Sequence, residues 1–276
     1  MEDQEKTFIV KHYSITSPKI QRNTRVLFLS DLHSYVHGHD NEELLERCIT
    51  LCPDIVIMGG DMISSMPLTH ETSLRVAEDL SIFSHVYYVD GNHETTYRVR
   101  DLLGYNAYMK KLQELGVVLI HNLSSELFIN ETRFLISGYE FPLSTYKRCI
   151  NPEYPVSELE RKLQRDETAY QILAAHNPYF KKLYKDWGAD LTLCGHYHGG
   201  IIKLWNKPLL SPYGTFFPKQ VYGHYMFNEK HLIITSGIGE HVRIVKRINN
   251  PMEVVCIDLF PEGLIVDPHM TKVTSF

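Results

Sequence analysis

Five strand-like runs in this chain each lead into an Asp, Asn or His residue. The runs are "RVLFLS", "DIVIMGG", "HVYYVDG", "QILAAH" and "DLTLCG", and each has the length and apolar character of a buried β-strand. Between the first three, "NEELLERCITLC" and "ETSLRVAEDLSIF" space their apolar residues three and four apart, as covering helices do. This alternation of strands and helices predicts an α/β layered fold.

Other strand patterns follow one another without an intervening helix. In "ELFINETRFLISGYEF" and in the C-terminal runs "HLIITSG" and "EVVCIDLF", Asn and Gly turn signals bound short apolar segments. These patterns indicate antiparallel pairing, so we expect mixed sheets. With no internal repeat or low-complexity linker in the sequence, residues 1–276 are expected to form a single domain.

Composition narrows the cellular setting and the class of partner. A formal net charge of -5 argues against a general nucleic-acid-binding surface, which needs basic residues to displace counterions from phosphates. The N-terminus lacks the basic start of a signal peptide, and no apolar run in the sequence has the length of a membrane span. Five scattered cysteines fit reduced thiols. We therefore expect a cytoplasmic protein, with peripheral contact to a membrane surface left open.

The residues at the strand ends predict a metal site. Ligands of open α/β sheets bind at the carboxyl ends of strands, so these residues should converge. Alternate residues of an extended chain point to one side, which would pair Asp31 with His33 and His196 with His198. Taken singly, each residue is more often a turn former or a satisfied polar group. Together, their carboxylate, imidazole and amide groups favour Mn, Fe or Zn.

The motifs "DLH", "GGD", "GNHE", "AH" and "GHYH" occur in the order and rough spacing of a known family. From Asp31 to His198 the chain resembles the calcineurin-like metallophosphoesterases. The resemblance implies a four-layer α/β/β/α sandwich with two mixed sheets and a dinuclear metal site at the carboxyl ends of strands. The segments "GHYHGG", "SGIGEHVRI" and "RINNPMEV" are further similar to the branch of YkuE-type phosphoesterases and UDP-diacylglucosamine hydrolases.

The resemblance also implies a role for each motif residue. The ligands would be, for one metal, Asp31, His33, Asp61 and His198 and, for the other, Asp61, Asn92, His176 and His196. Two divalent or trivalent ions (Mn, Fe or Zn) would lie about 3.5–4 Å apart, and a hydroxide bridging them would attack phosphorus. His93 would act as the general acid that protonates the leaving group, oriented by Asp61 or a neighbouring carboxylate.

Four further residues are candidates for contact with substrate: Tyr197, Phe216, Phe217 and Arg243. Tyr197 and Ile201 differ from the residues usual in that branch, which bears on substrate choice. The aromatic residues of 211–227 indicate either core packing or an apolar rim for a lipid or nucleoside group. Arg243, with Lys246 and Arg247, would contact a second phosphate or form surface ion pairs.

We therefore expect a dinuclear metal-dependent phosphoesterase whose substrate is a phosphodiester, a pyrophosphate-linked small molecule or a lipid precursor. The alternatives are a non-catalytic, metal-binding interaction scaffold of the same fold and a phosphomonoesterase or protein phosphatase. The complete ligand set with His93 disfavours the scaffold. Protein phosphatases of this kind usually carry arginines where "GGDMISS" and "GNHET" have none.

Overall fold

A computed structural model of the chain describes residues 8–66, 68–146, 153–200, 202–204, 207–210, 221–240, 247–263 and 273–274. Its strands are β1 Ile9–Ser17, β2 Thr24–Leu29, β3 Ile55–Met58, β4 Ser64–Ser65, β5 Leu68–Thr69, β6 His85–Tyr88, β7 Val118–Leu119, β8 Leu123–Ile129, β9 Thr132–Gly138, β10 Tyr170–Ala174, β11 Leu191–Cys194, β12 Ile202–Leu204, β13 Lys207–Leu210, β14 Gly223–Phe227, β15 Lys230–Ile234, β16 Glu253–Pro261 and β17 Val273–Thr274. The α-helices are α1 Glu42–Thr50, α2 Glu71–Ser81, α3 Asn92–Arg100, α4 Leu102–Glu114, α5 Val156–Lys162 and α6 Lys181–Trp187, with 3₁₀ turns at Leu143–Tyr146 and Pro178–Phe180.

Two large sheets organise the fold. The first has the strand order β1-β16-β2-β3-β6-β7 and the second β17-β14-β15-β11-β10-β9-β8. In the first sheet, β2, β3, β6 and β7 pair in parallel, whereas β16 runs antiparallel to β2. In the second, β9, β10, β11 and β15 pair in parallel, and β14/β15 and β8/β9 are antiparallel. Both sheets are therefore mixed, as the turn signals predicted.

Apolar side chains pack in three buried layers around these sheets. Between the sheets, Phe28 of the first meets Ile172 of the second in one cluster. Helices α1 and α4 cover the outer face of the first sheet through Leu44 and Leu112, and Trp187 of α6 packs in the cluster on the outer face of the second. Burial of each such side chain contributes about 1.5–3 kcal/mol. The result is the four-layer α/β/β/α architecture that the resemblance implied.

Helix α3 is one of the helices that the sequence patterns did not predict, and it is the one that carries site residues. It has no continuous apolar stripe, because its buried residues are Glu94, Thr95 and Tyr97. Its first turn is held instead by the Glu94 carboxylate, which accepts a hydrogen bond of 2.9 Å from the backbone N–H of Gly91. Asn92 therefore lies on the first turn of a helix that starts where strand β6 ends.

Within the described residues, no helix is both long enough and apolar enough to cross a membrane.

Candidate metal centre

The carboxyl ends of five strands meet at one edge of the two sheets. Asp31, Asp61 and Asn92 follow β2, β3 and β6 of the first sheet, and His176 and His196 follow β10 and β11 of the second. Backbone hydrogen bonds join these ends, since the N–H of Asp31 donates to the carbonyl of Gly60 at 3.0 Å. Residues far apart in sequence are thus brought into one cluster.

The first group of potential ligand atoms belongs to Asp31, His33 and His198. One ligand atom of each lies within 4.8 Å of those of the other two. The Nε2 atoms of His33 and His198 are 3.2 Å apart, and His198 Nε2 is 3.4 Å from Oδ1 of Asp31. Two ring nitrogens and a carboxylate oxygen at these separations suit a single bound cation.

The second group belongs to Asp61, His176 and His196, again with ligand atoms within 4.8 Å of one another. His176 Nε2 lies 3.2 Å from Oδ2 of Asp61 and 3.8 Å from Oδ1 of Asp31. Nearby, the buried Oδ1 of Asn92 has no hydrogen-bond partner among the described residues. A buried amide oxygen left in this way is costly unless a cation or donor meets it. The residues therefore fit a metal at this position.

Hydrogen bonds from the backbone orient the candidate ligands. Nδ1 of His176 lies 2.8 Å from the carbonyl oxygen of Gly59 and donates its proton there, which leaves Nε2 as the basic nitrogen. Both carboxylate oxygens of Asp31 accept from the backbone N–H of His196, at 3.0 and 3.1 Å. The side chain of Asp31 consequently ties the end of β2 to the loop that follows β11.

Three buried groups of the cluster shift one another's pKa. Burial alone would lower the pKa of His176, but the carboxylates of Asp61 and Asp31 outweigh it and raise the pKa to about 10. Burial raises the pKa of Asp31 to about 6. Burial opposes ionisation of Asp61 as well, yet His176 and neighbouring histidines hold its pKa well below the ordinary value. A cation that binds here would therefore displace a proton from His176.

The local backbone differs from the extended chain that the alternating motif residues predicted. Five candidate ligands have φ in the left-handed region: Asp31 at 57°, His33 at 48°, Asp61 at 52°, His196 at 69° and His198 at 48°. The prediction was wrong in its geometry because the chain turns sharply where each strand ends. Each left-handed non-Gly residue costs about 1 kcal/mol.

Close packing around Asp31 explains the glycine that precedes the two histidines of "GHYH". A Cβ built on Gly195 would lie 2.5 Å from Oδ2 of Asp31 and would also collide with the hydroxyl of Ser30. A side chain at this position would force the carboxylate to move.

His93 lies beside the first group. Its ring centroid is 4.5 Å from that of His33, and its backbone N–H donates to Oδ1 of Asp61 at 2.8 Å. Nδ1 of His93 accepts from the backbone N–H of Ser65 at 3.1 Å and also lies 3.1 Å from the Ser65 hydroxyl. The neutral ring consequently carries its proton on Nε2. Sequence reasoning missed Ser65, because a serine four residues beyond Asp61 gives no local signal.

Glu94 is a second residue to which the sequence analysis assigned no role. Its carboxylate is fully buried. Oε2 accepts from the backbone N–H groups of Asp61 and Gly91, both at 2.9 Å, and Oε1 accepts from the N–H of Met62 at 2.9 Å and the hydroxyl of Tyr88 at 2.8 Å. It joins the end of β3 to the start of α3. The available signal was a Glu three residues after Gly91, the spacing of a capping box.

Of the predicted substrate contacts, Tyr197 lies at the site, half-buried, with its ring centroid 5.6 Å from that of His196. Phe216, Phe217, Arg243 and Ile201 lie outside the described residues.

Arg247 lies beside the candidate ligand His198. Its guanidinium donates to the carbonyls of Ser236 at 2.7 Å and Gly239 at 2.5 Å, and lies 3.3 Å from Nδ1 of His198.

Comparison with known proteins places this centre in a family. The sequence profile of the calcineurin-like phosphoesterase family matches residues 24–200, and the chain belongs to that family of metal-dependent phosphoester hydrolases. It is 26% identical over 242 residues to phosphodiesterase YaeI of Escherichia coli (strain K12), an alignment covering 85% of this chain and 82% of YaeI. The uncharacterized metallophosphoesterase Cj0846 of Campylobacter jejuni is 26% identical over 260 residues, which cover 92% of this chain and 64% of Cj0846.

Among solved structures, phosphopantetheinyl hydrolase PptH of Mycobacterium tuberculosis superposes with a TM-score of 0.48 at 15% identity, covering 80% of this chain and 90% of PptH. The matching profile confirms membership of the family, and the two mixed sheets of the structure confirm the mixed α/β fold; both were expected from the sequence. The finer branch, the single-domain organisation and the cytoplasmic location stay predictions.

Proposed function

We propose that the chain hydrolyses a phosphodiester or a pyrophosphate-linked small molecule with two bound metal ions. One ion would be held by Asp31, His33, Asp61 and His198, and the other by Asp61, Asn92, His176 and His196. The observation that carries this proposal is the pair of adjacent ligand groups, Asp31/His33/His198 and Asp61/His176/His196. The relative named phosphodiesterase YaeI supports a diester over a monoester.

Bound divalent ions would supply a water of lowered pKa and would neutralise the phosphoryl oxygens. We assign the chain's own residues three tasks. Asp61, held by Glu94 through its backbone N–H, would be shared between the ions. His176 would keep its Nε2 lone pair directed into the site because Nδ1 is bonded to Gly59. The amide oxygen of Asn92 would complete the second ligand set.

We assign His93 the role of general acid. The acid form would be the imidazolium, whose Nδ1–H would donate to the Ser65 hydroxyl oxygen 3.1 Å away. Its Nε2–H would pass to the departing oxygen and leave the neutral ring, whose Nδ1 accepts from the Ser65 N–H. Its backbone N–H, bonded to Asp61, fixes the distance between this acid and the ligand cluster. Proton donation would matter most for a poor alkoxide leaving group and least for an activated phenolate.

The test is activity of metal-stripped protein after Mn²⁺, Zn²⁺, Fe²⁺ or Mg²⁺ is restored in turn. The panel comprises bis-p-nitrophenyl phosphate, p-nitrophenyl phosphate and a nucleotide-sugar pyrophosphate. We expect turnover of the diester or the pyrophosphate with the transition metals. Preference for the monoester would favour the phosphomonoesterase alternative. Metal uptake without hydrolysis of any substrate would favour the interaction scaffold.

The role of His93 is tested separately. His93→Asn should lower kcat on an alkyl diester by about 10²–10⁴-fold and leave the metal content unchanged. The matched control is His39→Asn, because the His39 side chain is 91% exposed. Unchanged kcat in His93→Asn, or a parallel loss of metal, would refute the acid role.

A further inference from the structure

A second cluster of potential metal-binding side chains lies outside the candidate metal centre. Asp90, His121 and Glu140 each stand two residues beyond the end of a strand, namely β6, β7 and β9. One ligand atom of each lies within 4.8 Å of the other two. His121 Nε2 is 3.4 Å from Oδ1 of Asp90 and 3.8 Å from Oε1 of Glu140.

Two of these atoms lack hydrogen bonds. Oδ1 of Asp90 and Nε2 of His121 are buried and have no hydrogen-bond partner within the described part of the chain. The Asp90 side chain is 0% exposed and the Glu140 side chain 3%. A buried carboxylate oxygen and a buried ring nitrogen without hydrogen bonds reduce stability, and these two atoms lie 3.4 Å apart.

The other oxygens of the two carboxylates already have partners. Oδ2 of Asp90 accepts from the hydroxyl of Tyr105 at 2.7 Å, and the Arg98 guanidinium lies 3.5 Å from that oxygen and 3.2 Å from Oε2 of Glu140. Glu140 Oε1 accepts a long hydrogen bond of 3.4 Å from the backbone N–H of Asp90. Tyr105 and Arg98 therefore reach only the other oxygens, and Asp90 Oδ1 is left without a donor among the described residues.

We propose that Asp90, His121 and Glu140 bind a divalent transition metal, with Zn²⁺ preferred, in a site distinct from the dinuclear centre. Ligand atoms of a tetrahedral zinc, at about 2.0–2.2 Å from the metal, lie roughly 3.4 Å from one another. The distance of 3.4 Å between His121 Nε2 and Asp90 Oδ1 matches that separation. The distance of 3.8 Å between His121 Nε2 and Glu140 Oε1 would have to shorten slightly when the metal binds. Water would complete the coordination.

The ring of His121 is set for this role by its other nitrogen. Nδ1 lies 3.5 Å from the hydroxyl oxygen of Tyr105, which itself donates to Asp90 and therefore has lone pairs left to accept. A proton on Nδ1 leaves Nε2 as the ligand.

The bound ion would join the two sheets. Asp90 and His121 follow strands of the first sheet, and Glu140 follows β9 of the second. Asp90 is also two residues before Asn92, so the ion would fix the turn that presents Asn92 and His93. Its role is structural, and it would be needed for stability whatever substrate the dinuclear centre takes.

The test compares Zn²⁺ content of full-length variants after stripping and dialysis against Zn²⁺. His121→Gln should bind one equivalent less than the wild-type chain, and the control His85→Gln, at an exposed residue, should bind as much as the wild type. Equal Zn²⁺ content in His121→Gln and wild type would overturn the proposal and leave a buried ion-pair network around Arg98.

A second arm separates this site from the dinuclear one. Asp61→Asn combined with His198→Gln disables the dinuclear set, and this double variant should still bind one Zn²⁺ and show a Zn²⁺-dependent rise in Tm. Adding His121→Gln should abolish both. No Zn²⁺ uptake by the double variant would overturn the proposal even if His121→Gln alone fails to fold. Neither result depends on whether any phosphoester is hydrolysed.

Discussion

Replacement of Glu94 by Gln should destabilise the protein strongly although it changes only one atom of the side chain. The buried carboxylate accepts from two backbone N–H groups at Oε2, and from two further N–H groups and the Tyr88 hydroxyl at Oε1. Whichever way the new amide is oriented, its NH₂ faces at least two donors. Each unsatisfied buried donor costs about 1–3 kcal/mol, so we expect a loss of about 2–6 kcal/mol.

The assay is urea unfolding of Glu94→Gln and of the control Glu114→Gln, whose side chain is exposed on α4. The control should stay within about 0.5 kcal/mol of the wild type. Because Glu94 holds the backbone N–H of Asp61, the variant should also lose affinity for metal. A loss of stability below about 1 kcal/mol with unchanged metal content would refute the view that this carboxylate joins β3 to α3.

The remaining predictions concern acid stability and packing. Burial lowers the pKa of His224 to about 3 and of His231 to about 4. Below pH 6.5 the unfolded chain therefore binds more protons than the folded chain, so the free energy of unfolding should decrease as the pH is lowered, by up to about 2 kcal/mol per ring at pH 5. Urea unfolding between pH 7 and pH 4.5 should show this decrease, and the decrease should be smaller in the double variant His224→Asn/His231→Asn. The same pH dependence in that variant and the wild type would contradict its assignment to these two histidines. Gly195→Ala should cost about 1–3 kcal/mol and reduce metal affinity, because its Cβ would lie 2.5 Å from Asp31 Oδ2; full metal content by mass spectrometry would count against it.

The sequence predicted the parts of the fold and site that leave a local signal. Buried strands ending in Asp, Asn or His are readable because parallel strands share one carboxyl edge. Helix α3 was missed because polar capping and hydrogen bonds, rather than an apolar stripe, hold it. Ser65 was not assigned a position in the site, and Arg247 was predicted to contact a second phosphate or form a surface ion pair, not to contact His198. These contacts with His93 and His198 join segments distant in sequence. Such contacts depend on how the two sheets pack.

The left-handed conformation of five candidate ligands has a consequence for the stability of the fold. At about 1 kcal/mol each, these residues together oppose folding by about 5 kcal/mol, a sizeable part of the 5–15 kcal/mol typical of a whole domain. Glycine at His33, His196 or His198 would relieve the backbone and remove a candidate ligand in the same step. At Asp31 or Asp61 it would also remove the hydrogen bonds that these carboxylates accept from His196 and His93. Metal binding and stability are therefore set against each other at the three histidines. A glycine variant at one of them should unfold at a higher urea concentration and bind less metal.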